Sequence, residues 1–370
     1  MTTAKQAQRP AEEGWTMCSF ARSQPACGRL CILAASVLLA AGCGGDTGST
    51  SGVDASAAIV SETQASNASE GLTSTPVEEP APAPNPVPLP LPGTPPTPAR
   101  SPAAAAVAGR AIATPVYGVT VDDISGLPAI TQSLSGLPRM PTTRIVFDEF
   151  RPAKTYLAAT AAIGQVSYVM GEILDSLYMP RYSVQAYRDR TAEYLATLGP
   201  FVDIWEVANE INGEWLGDNG DVVAKMTDAF DLVKAQGKTA ALTLYYNEGC
   251  ASKAAHTMFA WAQAHIPARM KSGLDYVWIS YYEDDCPGPK PDWDAVFQRL
   301  SVMFPGARLG FGEVGTAIPA RKAEFVTRYY TLSIKTPSYV GGYFWWSFRK
   351  DMVPSTAPLW STLSDAIAAR

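Results

Sequence analysis

Two carboxylates stand where apolar runs end. Glu210 follows VDIWEVAN (202–209), and Glu313 falls near the end of ARLGFGEV (307–314). A carboxyl group at an apolar mouth is pushed toward its neutral form by desolvation, whereas a nearby cation keeps it ionised. Two carboxyls whose pKa values are driven apart in this way can divide the work of an acid and a nucleophile. A cation is at hand: Arg144 lies inside the run TTRIVF (142–147) and needs a buried partner. It either supports one of the two Glu or forms a structural salt bridge to Asp148 or Glu149. More polar and aromatic residues follow other apolar runs. They are FDEF with Asp148 and Glu149, YYNEG with Tyr245, Tyr246, Asn247 and Glu248, YYEDD from Tyr281, and WWSFRKD from Trp345. Aromatic faces stack on the C–H faces of sugar rings, and carboxylates and amides grip hydroxyls. Cleaving a glycosidic bond also takes two carboxyl groups, one protonated and one ionised.

These residues need a frame that brings distant strand ends to one rim. Eight runs rich in β-branched and aromatic residues read as strands: 115–121, 142–147, 163–170, 202–209, 238–246, 274–282, 307–314 and 339–348. Helical patterns separate most of them. SVQAYRDRTAEYLATLG is amphipathic, DVVAKMTDAFDLVKAQG starts at an N-cap Asp221, DWDAVFQRLSVMFPG ends in Pro–Gly, and AIPARKAEFVTRYYTLSIKT predicts a long helix. Alternation of this kind over about 250 residues predicts a single α/β domain, a (β/α)8 TIM barrel. An open doubly wound sheet would bring a Gly-rich phosphate turn after its first strand, and VTVDDISG is not one. In a barrel the site gathers at the C-terminal ends of the strands, which is where the polar residues fall.

Asn209–Glu210 ending the fourth strand and Glu313 ending the seventh resemble the clan of retaining (β/α)8 glycoside hydrolases, the "4/7" group that includes cellulases, mannanases and xylosidases. The resemblance covers residues 115–370. It implies Glu210 in VANEIN as acid/base, with Asn209 holding the sugar 2-hydroxyl. It implies Glu313 in GFGEVG as nucleophile, supported by Arg144 and by Tyr282 in ISYYED, with Tyr281 as the fallback. Trp346 in YFWWSF would floor the reactive subsite, and neighbouring Trp345 faces the other way, into the core. Ser280 departs from the pattern, because many members carry a His at that position. The retaining mechanism implied places the two carboxyls about 5–5.5 Å apart. Trp215 is a candidate platform beyond the cleavage point, or a packed loop residue. Glu149 is a candidate sugar contact, as are Glu248, Glu283 and Asp285, each equally readable as a solvated charge.

The N-terminus is organised differently. RLCILAASVLLAAGC (29–43) is basic, then apolar, then small, which predicts an export signal. Its ending resembles a bacterial lipoprotein signal with Cys43 as the lipidated residue. Residues 44–110 are Gly/Ser/Ala-rich and then Pro-rich, a composition that predicts a disordered tether with a stiff spacer. The domains expected are therefore 1–43, 44–110 and 111–370. The chain is expected to be exported and lipid-anchored, in the outer membrane or periplasm. Cys250 and Cys286 remain as an even pair in an oxidising compartment and are expected to form a disulfide.

Of 370 residues, 17% are charged and the formal net charge is −6, so no nucleic-acid footprint is present. Two His do not make a metal site, and neither metal nor organic cofactor is required. A monomer is expected. The alternatives to a glycosidase are a non-catalytic carbohydrate-binding lipoprotein and a transglycosylase on the same barrel.

Overall fold

The computed structural model describes residues 110–286 and 288–370. The expected signal, Cys43 and nearly all of the expected tether lie outside these residues. Among the described residues eight parallel strands form a closed barrel in sequence order. They are β1 (Val116–Val121), β2 (Thr142–Val146), β3 (Tyr168–Glu172), β4 (Ile204–Glu206), β5 (Thr239–Tyr245), β6 (Tyr276–Tyr281), β7 (Arg308–Val314) and β8 (Tyr339–Trp345). β8 pairs back to β1 and closes the ring. Both faces of each strand are covered, which is why the strands read as near-continuous apolar runs.

Two cores follow from strand alternation. On β6, Val277, Ile279 and Tyr281 join the large layer between barrel and helices. Tyr276 and Trp278 point inward, where they pack with Val116, Met170, Ile204, Ala241 and Phe344. This apolar plug fills the lower barrel, so polar side chains can converge only above it.

Several predicted boundaries shift, among them that of the fourth strand, which is Ile204–Glu206 rather than 202–209, so that Asn209 lies three residues beyond its end. The third strand is Tyr168–Glu172, because Ile163 belongs to the helix Leu157–Ile163; that run of small and apolar residues has no periodicity to separate helix from strand. Asp218 rather than Asp221 caps the helix Asn219–Ala235, its carboxylate accepting from the N–H groups of Gly220 and Asp221. The long helix expected over 317–336 is only Lys322–Tyr330.

Cys250, after β5, and Cys286, after β6, form a disulfide with Cα atoms 5.3 Å apart. It ties together two adjacent loops at the C-terminal end of the barrel. With the cysteines 36 positions apart in sequence, chain entropy predicts a stabilisation of about 2–4 kcal/mol. Cys250→Ser/Cys286→Ser is therefore expected to melt several degrees lower than the oxidised parent. An unchanged melting temperature would show that the loops are held by other contacts.

Candidate active site

β4 ends at Glu206, and the chain then turns sharply. Glu210 takes a left-handed backbone conformation, φ 47, which costs a non-glycine residue about 1–3 kcal/mol. The surroundings impose it: Ile211 N–H donates to the Thr243 carbonyl at 3.1 Å, and Gly213 N–H to the Glu210 carbonyl at 2.8 Å. Asn209 is clamped from two sides. Its Nδ2 donates to Glu206 Oε1 at 3.3 Å, and its Oδ1 accepts the Ser176 N–H at 3.2 Å. The Glu210 carboxyl accepts two hydroxyls, Ser176 Oγ at 2.9 Å and Ser280 Oγ at 2.5 Å.

Glu313 reaches the same space through a bulge. β6 and β7 run in register as far as Ile279 opposite Phe311, and the next pair is Ser280 opposite Glu313. Gly312 is the extra residue. Phe311 faces the outer core, and simple alternation would turn Glu313 outward as well. The bulge resets the parity and turns it inward. Only glycine fits there, because a Cβ on Gly312 would stand 2.5 Å from Trp278 Cβ.

One guanidinium organises the centre. Arg144 is fully buried and is shared by three carboxylates. Its Nε donates to Glu206 at 2.7 Å, its Nη2 lies 3.1 Å from Glu172, and its Nη1 donates to Glu313. The salt bridge to Asp148 or Glu149, left open above, is not formed. Glu149 instead faces Arg181 at 3.6 Å on the rim. Among the described residues no group of His, Cys, Asp or Glu is arranged to hold a metal; between these carboxylates the guanidinium fills the place of a cation. Glu206 also accepts from Thr243 Oγ1. Removing the guanidinium would leave Glu172 and Glu206 buried without their cation, so Arg144→Met is expected to cost about 3–5 kcal/mol. A melting curve matching the parent's would refute that account of the cluster.

The two carboxyls keep unequal company. Glu313 accepts the Tyr282 hydroxyl as well as Arg144. Burial raises its pKa, and Arg144 and then Tyr282 oppose the rise. Glu210 has no cation among its hydrogen-bond partners. Burial first, and then the charge on Glu313, push it up to about 8, with the two serine hydroxyls opposing. The partners are Ser280, on β6, and Tyr282, the first residue after it, two residues apart or about 6.6 Å of extended chain. The end of one strand thus holds both carboxyls.

The aromatics divide by face. Tyr282 reaches Glu313, whereas the fallback Tyr281 packs with Tyr246 and Trp293 on the outside of the barrel. Trp346 is half-buried at the site, with Arg144 5.9 Å from its ring centre. Trp345 is wholly buried and donates to Asp351. Trp215 stands edge-on to Tyr245, ring centres 5.3 Å apart, and its indole donates to Ser176 Oγ at 3.1 Å. Two of the three further acids have structural partners. Glu248 accepts the Phe259 N–H, and Glu283 pairs with Arg321 and Arg328. Asp285 is exposed.

Sequence reasoning missed Glu172, Glu206, Ser176 and the Gly312 bulge. A signal existed for the two Glu, since each interrupts an apolar strand as Arg144 does. Ser176, the first residue of the 3-10 helix Ser176–Arg181, left none. Away from the site, a cavity of about 320 Å³ opens at the N-terminal end of the barrel, lined by Tyr117, Tyr330, Tyr339 and Arg370 among others. It contains none of the acid cluster.

No protein-family model matches this sequence, and no curated protein matches it. Among solved structures, a beta-glucosidase from Exiguobacterium marinum is similar at 10% identity and TM-score 0.43, over 66% of this chain and 86% of that one. Saccharomyces cerevisiae Gas2p in complex with laminaripentaose is similar at 12% identity and TM-score 0.45, over 68% of this chain and 64% of that one. The apo structure of a beta-glucosidase designated 1317 gives 14% identity and TM-score 0.43, over 60% of this chain and 76% of that one.

Proposed function

We propose that this protein is a retaining glycoside hydrolase acting on an oligo- or polysaccharide. One observation carries the reading: of two inward carboxyls at the barrel mouth, Glu313 is bound to a guanidinium and Glu210 only to hydroxyls. The first is equipped to stay ionised and the second to carry a proton at neutral pH. Glu210 gives its proton to the leaving oxygen as a Glu313 oxygen attacks the anomeric carbon, forming a glycosyl-enzyme and releasing the leaving-group alcohol. Glu210, now a carboxylate, takes a proton from the incoming water. That water's oxygen displaces Glu313 and returns the sugar with its original anomeric configuration. Arg144 and Tyr282 stabilise Glu313 as the departing carboxylate. Asn209 holds the 2-hydroxyl, Trp346 floors the reacting sugar, and Trp215 and Glu149 contact sugars on either side.

In the same proposal Cys43 carries lipid, and the Pro-rich segment holds the barrel away from a bacterial membrane. Two acyl-type signals are usually needed for stable anchoring, which lipoprotein maturation would supply.

The test is intact-mass spectrometry after exposure to a panel of 2-fluoro glycosyl fluorides. A stable adduct mapped to Glu313, and lost in Glu313→Gln, is the expected result, and the reacting sugar names the substrate class. An adduct on a different carboxylate would overturn the assignment of roles.

A further inference from the structure

Glu210 is held by hydroxyls from two other parts of the chain, and one of them links it to an aromatic ring. We infer that Ser176 and Ser280 are positioning residues for Glu210, and that Trp215 acts on Glu210 through Ser176, making the aromatic platform and the proton-bearing carboxyl one hydrogen-bonded unit. The inference rests on the reading of Glu210 as acid/base and adds to it the residues that control that group.

The geometry is directional. An indole has a single N–H and no acceptor, and a serine hydroxyl has one proton and two acceptor positions. Trp215 Nε1 donates to Ser176 Oγ at 3.1 Å, and this occupies an acceptor position. The hydroxyl proton is then aimed at Glu210 Oε2, 2.9 Å away. The Ser176 backbone N–H is engaged with Asn209 Oδ1, so one residue fixes both members of the Asn209–Glu210 pair. Trp215 is itself braced edge-on by Tyr245. From the opposite side Ser280, on the inward face of β6, donates to Glu210 Oε1 at 2.5 Å. Both carboxyl oxygens therefore accept hydroxyls, an arrangement that favours the carboxylate over the acid.

Other titratable groups face Glu210 from the surrounding elements: Glu313 from β7, Asp175 from the loop after β3, Tyr245 from β5 and Tyr282 after β6. The two acids oppose ionisation of Glu210, as burial does. The serine hydroxyls are the counterweight that keeps Glu210 able to cycle between proton donor and proton acceptor. A leaving-group sugar seated on Trp215 would rest on the ring that aims Ser176. Trp215→Phe separates these roles, since it keeps an aromatic face and removes the N–H.

The experiment reads the carboxyl itself, without substrate. The full-length chain is labelled with [5-13C]glutamate, the Glu210 resonance is identified by its absence in Glu210→Gln, and it is titrated by NMR. The parent midpoint is expected near 8. Ser176→Ala and Ser280→Ala should each move it up by about one pH unit, the worth of a hydrogen bond to a charged group. Trp215→Phe should move it the same way, and should move it no further in a Ser176→Ala background. Ser176→Thr and Ser280→Thr, which keep the hydroxyl, should leave it near the parent value. Unmoved midpoints in both Ser→Ala variants would overturn the inference. So would a Trp215→Phe shift that adds in full to that of Ser176→Ala. If one Ser→Ala variant does not fold, the other and Trp215→Phe decide. A titration that follows this pattern, with no 2-fluoro sugar adduct on Glu313, would keep the hydrogen-bonded unit and remove the glycosidase reading.

Discussion

Replacing Glu313 with Ala is expected to lower kcat/KM by roughly 10⁴-fold or more, because a covalent step loses its nucleophile. The loss should be chemical rather than structural. Arg144 keeps Glu172 and Glu206, so the charge cluster retains acceptors and the fold survives. The space left by the carboxylate admits a small anion such as azide. With an activated glycosyl donor, azide should restore turnover and yield a glycosyl azide of inverted anomeric configuration, since a single displacement replaces two. Turnover in Glu313→Ala within about tenfold of the parent would be too large for a lost nucleophile and would assign the attack elsewhere. A rescued product of retained configuration would contradict the role of Glu313.

Glu210→Gln is expected to have two large effects of opposite sign. On a substrate with a poor leaving group, kcat/KM should fall by about 10²–10⁴-fold, the usual contribution of a positioned acid. On an aryl glycoside whose leaving group needs no proton, the fall should be slight, and slow hydrolysis of the glycosyl-enzyme should become the limit. The alkaline limb of the parent's pH profile, set by loss of the Glu210 proton near 8, should vanish from the variant. Because Glu210 and Glu313 interact, that limb belongs to the pair.

The second effect is on stability. Glu210 titrates near 4.5 unfolded and near 8 folded. Below 4.5 both states hold the proton. Between the two values the native state keeps it while the unfolded chain releases it, so rising pH favours unfolding throughout that window. Gln carries no such penalty. Glu210→Gln should therefore gain stability over the parent as pH rises from 4.5 to 8, by about 2–4 kcal/mol at the upper end. It should gain little below 4.5. A thermal midpoint equal to the parent's at both pH 4 and pH 8.5 would show that Glu210 carries no raised pKa in the folded state. Gain of stability with loss of activity is the usual mark of a group kept for function at a structural cost.

How far the sequence reaches can be judged from single elements. β6 was legible because LDYVWISYY is β-branched and aromatic over a strand's length, and burial on both faces makes such runs continuous. Asn209–Glu210 and Glu313 stood out for the converse reason, as polar groups closing apolar runs. The start of β3 was not legible: AAIGQVSY has neither a 3.6-residue nor a two-residue rhythm, and tertiary packing divides it between a helix and a strand. The sequence reads equally well with Trp215 as platform or as packing, and the structure gives it both an edge-on partner and a hydrogen bond toward the site.

By itself, the sequence determined the class of fold and the inventory of reactive groups. Eight apolar runs separated by amphipathic ones admit few architectures, and residue order alone places the carboxylates at the run ends. The tertiary structure decided which groups meet. Arg144 found Glu172 and Glu206 rather than Asp148 or Glu149 because strand register around a closed barrel, not distance along the chain, sets neighbours. Glu313 faces the cleft only because one extra glycine resets the parity of β7. Ser176 holds Glu210 from the start of a 3-10 helix, 34 residues away in sequence. Each of these depends on contacts between strands or loops that have no periodic trace in a linear chain.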